Sequence, residues 1–269
     1  MNYFIPSRQL MKEIEHSEIN YMHDRMLAIQ SRLNNPEGIE VQQFGNAWCF
    51  YSRTMPWAAF NTVKGMTNAD IELLDPIIEF YKKRDRKAQF EIVPTHLDHH
   101  ALKQLSDRGF YASGSHASLY MEPIEMFEET QGQIQILELQ EDQFHLYATI
   151  HCRGTGLADD GIPYVCENNK VLYNRPEWKY FIAYVNEEPA AVGVMHMKNS
   201  IASFTFAATL PAYRNQGLQQ GLLKRRIAEA RRNNCKLAVS QCSFLSQSHR
   251  NMERIGMKMG YVRTSWTER

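Results

Sequence analysis

The 269-residue sequence has no excess of charge of either sign: thirty Lys and Arg stand against thirty Asp and Glu, a formal net charge of +0. A chain without a basic excess is not drawn as a whole onto polyphosphate, so no nucleic-acid partner is expected unless a local patch supplies one. Long apolar runs are missing too. The longest, 181–185 and 190–195, fall far short of the ~20 residues that span a bilayer, and no membrane partner is expected. The first twenty residues carry charges every few positions and lack the apolar core of a secretory signal, so a cytoplasmic location is expected. Cysteine is scarce: Cys49, Cys152, Cys166, Cys235 and Cys242 are an odd number, widely spread, with no CxxC pair and no nearby HxxxH. This excludes the usual zinc spacings and points to reduced, mostly buried thiols.

What is present is a globular composition, 43% hydrophobic and 22% charged, which excludes wholesale disorder. At ~150 residues per domain the length corresponds to just under two domains. Self-similarity supports the division. When residues 58–110 are moved forward by 147 positions, their punctuation meets that of the second half without a gap. The first copy reads as a β-rich run at 58–63, a helix over 68–83, a strand at 88–93, a helix over 97–108 and then Gly109. The second reads as a strand at 203–209, a helix over 217–232, a strand at 235–240, a helix over 246–255 and then Gly256. Both glycines fall where a left-handed helix cap reverses the chain. A seam is expected at 122–132, before a fresh strand at 134–139, dividing the chain into 1–126 and 127–269. In the second half, 141–153 reads as helix, 154–161 as a flexible loop, and 179–185 with 190–196 as a hairpin.

Chemistry concentrates in FTFAATLPAYRNQGLQQGLLKRRIAEARRNN, residues 204–234. A β-run ends at Thr209, Pro211 stops the ladder, and a polar turn opens a helix. The first N–H groups of a helix have no internal partner and carry partial positive charge, so a pyrophosphate fits there. Gly217 and Gly221 would let phosphates approach the main chain, with Arg214 at the mouth as a bidentate partner. Lys224, Arg225, Arg226, Arg231 and Arg232 read as a solvated helix face, with phosphate binding as the alternative.

The segment LPAYRNQGLQQGLL resembles the acyl-CoA pyrophosphate loop, (Q/R)xxGx(G/A), of the GNAT superfamily of acyl-CoA N-acyltransferases. Arg214 takes the Q/R place, Gly217 the first glycine, and Gln219 stands at the G/A place, where its side chain must turn away from the phosphates. Downstream, SQSHRNMERIGMKMGYVRT resembles the closing helix and strand of that family, with Ser248 at its small polar position. The resemblance implies a mixed α+β fold of two tandem GNAT-like domains, each a mostly antiparallel sheet flanked by helices. It implies acetyl-CoA as co-substrate, held by Ala207, Thr209, Arg214, Asn215, Gln216, Gly217, Leu218, Gln219, Gln220 and Ser248. The implied reaction is acetyl transfer to a primary amine of a small molecule or peptide, by direct attack in a ternary complex.

No catalytic residue is assigned. Where many relatives carry a proton-donating tyrosine, this chain has Met252, which cannot donate; Tyr261, Ser248, Cys242 and water remain as alternatives. His196 and Glu167 are candidate bases, and Asp159 with Asp160 could attract a cationic acceptor. Moving the loop positions back by 147 gives Thr67, Asp70, Glu72 and Leu74. The carboxylates would repel a pyrophosphate, so the first half is expected to lack CoA binding. The missing tyrosine and Gln219 also allow a non-catalytic CoA sensor or partner-binding module. The basic helix allows, with less support, an aminoacyl transferase using charged RNA.

Overall fold

The computed structural model describes residues 6–125 and 134–269. The expected seam and the 126/127 boundary fall largely outside those residues. A long helix, α1 (Arg8–Gln30), starts at Ser7, whose side chain accepts the Leu10 N–H at 3.1 Å. Then follow β1 (Ile39–Phe44), β2 (Ala47–Ser52), β3 (Thr62–Lys64), α2 (Leu74–Lys82), β4 (Gln89–Ile92), α3 (His99–Asp107) and β5 (Phe110–Met121). The second half runs β6 (Ile134–Glu138), α4 (Phe144–Thr155), α5 (Ile162–Lys170), β7 (Trp178–Val185), β8 (Glu188–Lys198), β9 (Ile201–Thr209), α6 (Leu218–Arg232), β10 (Leu237–Ser243), α7 (Gln247–Arg254) and β11 (Lys258–Glu268).

The 147-residue offset is visible in β4 and β10, α3 and α7, and β5 and β11, and Gly109 and Gly256 both lie in the left-handed region at φ +88° and +93°. The β-rich run expected at 58–63 is instead a short 3-10 turn, Ala58–Phe60, ahead of the brief β3. The helix expected over 68–83 begins as a 3-10 segment, Asn68–Leu73, because the Thr67 and Asp70 side chains form a capping box there. Helices α1 and α5 have no counterpart in the sequence reading.

The fold is mixed α and β with a mostly antiparallel sheet, as expected, but the strands of the described residues form one eleven-stranded sheet. Its order is β1-β2-β3-β4-β11-β5-β10-β9-β8-β7-β6. The last strand of each half pairs with the penultimate strand of the other: β11 lies antiparallel to β4, and β5 antiparallel to β10. β5 and β11 pair with each other along their length at the centre. Successive residues divide the two faces. Leu237 and Val239 of β10 meet Leu10, Met11 and Ile14 of α1, while Ala238 and Cys242 meet Leu222, Leu223 and Met252 of α6 and α7. On β4, Phe90 and Ile92 pack with α2 and α3. Thus α2, α3, α6 and α7 cover one face, and α1 crosses the other beside α4 and α5.

A buried charge cluster fixes α1 across the exchanged strand. Glu18 of α1 accepts from Lys64 Nζ at 2.9 Å and from Arg263 of β11, and Glu91 of β4 accepts from Lys64 at 2.6 Å, with Arg263 Nε 2.7 Å away. The two cations hold the Glu91 carboxyl down at about 2, against the opposing effect of burial. Removing one member would leave an uncompensated buried charge, which costs about 3–5 kcal/mol. Arg263→Met is therefore expected to lower unfolding stability by about that amount. Wild-type urea unfolding should show one transition by both tryptophan fluorescence and far-UV circular dichroism. Two separated transitions, one per half, would contradict the interlocked sheet.

Candidate functional site

Strand β9 makes the site. Its pairing with β8 shifts register between Val192 and Val194, so Phe206 and Ala207 together oppose the single Gly193. This is a β-bulge, and Phe206 occupies the left-handed region at φ +41°, an uncommon conformation for an aromatic L residue. On its other side β9 runs parallel with β10 only as far as Phe204 opposite Ser240. Beyond that point the two strands part, and the end of β9 forms one wall of a cleft.

Arg226 of α6 buttresses the bulge. It is 2% exposed, and its guanidinium donates to the carbonyls of Val194 (3.1 Å), Thr205 (3.4 Å) and its own Leu222 (3.0 Å). No carboxylate pairs with it among the described residues, and burial pulls it down to about 9. Gly193 leaves room for this side chain, since a Cβ there would lie in tight contact, 3.3 Å, with the guanidinium carbon. The solvated face expected for the basic helix therefore does not extend to Arg226. Glu229 draws in Arg225, Arg232 and Lys179 at 3.3, 3.2 and 2.8 Å.

The cleft measures about 490 Å³. It collects Ala207, Thr209, Arg214, Asn215, Gly217, Leu218, Gln219, Gln220 and Ser248 on one surface, whereas Gln216 stands outside the lining with its amide on the Ala212 carbonyl at 3.4 Å. Gly217 opens α6 at φ +80° with no side-chain cap and open space where a Cβ would project. The N–H groups of Leu218, Gln219 and Gln220 thus meet the cleft at the positive end of a fifteen-residue helix. Arg214 donates to the Gly154 carbonyl at 2.9 Å, which sets it at the rim. Gly221 does not face the cleft; a Cβ there would lie 2.9 Å from Ile136 of β6, so its role is close packing.

Gln219 turns away from the helix terminus. Its amide donates to Ser248 Oγ at 2.6 Å and accepts from Asn251 Nδ2 at 2.5 Å, clamping α6 to α7. The polar set Gln247, Asn251 and Arg254 also lines the cleft, and Asn251 Oδ1 accepts from both of its neighbours at 3.0 Å. None of these three belongs to the residues expected from the loop resemblance, although their i, i+4, i+7 spacing marks one helix face.

Among the candidate acids only Ser248 reaches the cleft. Met252 is in the core at 5% exposure; Cys242 is buried in the same core, which raises its thiol; and Tyr261 lies on the opposite face against α1. The candidate bases stand elsewhere too. Glu167 is exposed on α5; of the acidic pair expected to attract a cationic acceptor, Asp159 is engaged with Arg153 at 2.8 Å and Asp160 is exposed. His196 is 1% exposed with its ring 4.8 Å from Trp178, and burial lowers it to about 4.

In the first half, Asp70 occupies the position equivalent to Gly217. It is 1% exposed and accepts from the N–H of Thr67 (2.8 Å), Thr67 Oγ1 (2.9 Å) and the N–H of Asn46 (2.9 Å). Glu72, the second carboxylate of that expectation, is exposed. Asp70 is itself an internal anion on that helix terminus.

The His196 placement has a pH consequence. Its folded value lies below its unfolded value, so the unfolded chain binds the extra proton. Stability is expected to be level above pH ~6.5 and to fall as pH drops toward 4, by up to about 3 kcal/mol from this residue. His196→Phe should flatten that part of the calorimetric Tm profile; parallel profiles for the two proteins would contradict the assignment.

Residues 135–257 match the model of the acetyltransferase (GNAT) family. No curated protein matches the chain by sequence. Among solved structures, a GCN5-related N-acetyltransferase from Kribbella flavida superposes with TM-score 0.70 at 13% identity, over 95% of this chain and 94% of that one. Another from Sphaerobacter thermophilus superposes at 0.62 and 10% identity, over 77% and 71%. A tandem GNAT protein from the clavulanic acid biosynthesis pathway superposes at 0.56 and 11% identity, over 73% and 68%. The bulged and splayed strand and the glycine-opened helix beside it both lie within residues 135–257, the region of the chain that matches the acetyltransferase (GNAT) family.

Proposed function

We propose that the chain is an acetyl-CoA-dependent N-acetyltransferase that acts on a primary amine through one working site, in the second half. The observation that carries this reading is the open N-terminus of α6 within the same cleft as the bulge of β9. Acetyl-CoA would supply an activated acetyl thioester. Its pyrophosphate fits the N–H groups of Leu218, Gln219 and Gln220, with Arg214 and Arg254 at hand for charge. The bulge removes main-chain groups at Phe206 and Ala207 from the ladder with β8, and their N–H groups suit the thioester carbonyl as its charge develops.

In the reaction the lone pair of a neutral amine attacks the thioester carbon. The new C–N bond forms as the C–S bond breaks, the nitrogen releases a proton, and the thiolate gains one. Ser248, or water in the open cleft, is placed to deliver that proton. The five cysteines are free thiols, and no helix of the described residues is long and apolar enough to cross a membrane. Both features suit a cytoplasmic enzyme. Neither a non-catalytic sensor nor an RNA-dependent transferase is favoured, since the polar lining is open and much of the basic helix is engaged with Glu229 or buried.

Gly217→Glu would place a carboxylate in the helix mouth and put a side chain on a left-handed backbone. Acetyl-CoA-dependent thiol release with a panel of primary amines should be measurable for the wild type. It should fall at least about a hundredfold in the variant, the loss expected from anion repulsion in a partly desolvated site combined with backbone strain. A folded variant with retained turnover would place the phosphates elsewhere.

A further inference from the structure

On the α1 face of the bulge lies a buried cation that no carboxylate among the described residues pairs. Arg25 of α1 is 8% exposed, and it makes no hydrogen bond or ion pair among the described residues; its Nε is buried without a partner. Its guanidinium carbon sits 4.1 Å from the ring centre of Phe206, the bulge residue, and 4.9 Å from that of Phe60. Aromatic faces solvate an arginine in part, but they leave its N–H donors unused. Arg226 on the opposite face shows the contrast, since three carbonyls satisfy it.

The surroundings of Arg25 repeat the pattern. Tyr147 of α4 is 1% exposed, and its hydroxyl has no partner. His151, one turn further along α4, stacks on Tyr147 at 5.8 Å, and its Nδ1 is also buried without a partner. One more turn along α4 comes Gly154, which lines the cleft. Burial and the nearby Arg25 charge keep His151 neutral, down at about 4. Tyr21 closes the group with its ring edge-on to Phe206 at 6.0 Å. A cation and a hydroxyl left unsatisfied together form a constellation that a carboxylate would complete, because it accepts from both.

We infer that Arg25 and Tyr147 form a carboxylate subsite beside the β9 bulge, so that a substrate of this enzyme carries an anionic group close to its reacting atoms. This rests on the proposed acetyl-transfer reading and names its substrate class. The carboxylate belongs either to the acceptor, as in an amino acid, or to the acyl group, as in a dicarboxylic thioester. In either case the guanidinium forms the fork that receives it, and the apolar rings of Tyr21, Phe60 and Phe206 receive the uncharged remainder.

The test uses the full chain. Acetyl-CoA binding is first established by calorimetry, since its absence would defeat the acetyl-transfer reading itself. Thiol release is then compared for L-phenylalanine, L-leucine and L-methionine against 2-phenylethylamine, 3-methylbutylamine and 3-(methylthio)propylamine, and for succinyl-CoA against acetyl-CoA with a fixed amine. A charge-assisted pair predicts a kcat/KM advantage of about tenfold or more for the carboxylate-bearing member. An advantage among the amines assigns the carboxylate to the acceptor, and an advantage for succinyl-CoA assigns it to the acyl group. Arg25→Met should erase the advantage through KM, Arg25→Lys should keep part of it, and Tyr147→Phe should reduce it. If Arg25→Met does not fold, the wild-type ranking and the Tyr147→Phe variant decide. Acetyl-CoA binding together with equal use of both members of every pair would overturn the subsite and leave Arg25 as a clamp on Phe206.

Discussion

Strand β11 is the constraint on which the rest of the molecule depends. It ends the second half in sequence, yet it lies between β4 and β5 of the first half, while β5 lies beside β10. Each half thus completes its sheet with a strand from the other. The exchange reaches the site directly, because Ala117, Leu119 and Met121 of β5 share one core with Leu218 and Leu222 of α6 and Met252 of α7. The helix terminus that faces the cleft therefore rests on a strand from the first half. Glu18 and Arg263 add an electrostatic tie between α1 and the exchanged strand, in surroundings where neither charge tolerates the loss of the other.

Two helices at equivalent places in the two halves have opposite ends. Before α6 stands Gly217, with no side chain to cap the terminus, so the amides remain available to a ligand. At the equivalent place in the first half stands Asp70, in the 3-10 segment that leads into α2, where its carboxylate closes a capping box with Thr67 and also accepts from the Asn46 N–H. The duplication is visible in the fold, and the asymmetry comes from these residues. One terminus lacks an internal cap and leaves its amides to the proposed anion, whereas the equivalent segment of the first half is capped from within.

Much of this was legible in the sequence, and what was hidden has physical reasons. The offset of 147 could be read because capping glycines and helix lengths are local properties, and Gly109 and Gly256 do adopt the same backbone. The loop at 214–220 could be read because a glycine after a strand and before a helix has few other uses. The strand exchange could not, since β5 and β11 have similar patterns and nothing local states which neighbour each will take. The bulge was hidden because Phe206, not a glycine, adopts the positive φ. α1 is hidden in the sequence because Glu15, Glu18 and Arg25 give it the look of a solvated helix, although all three are buried. Arg226 was masked in the same way by the basic run around it.

The account's central claim is that one of two related helix termini receives a pyrophosphate and the other cannot. Calorimetric titration of the intact chain with acetyl-CoA tests it most directly. The account predicts saturable binding with a stoichiometry of one per chain. Two sites per chain, or no binding at millimolar ligand, would contradict it.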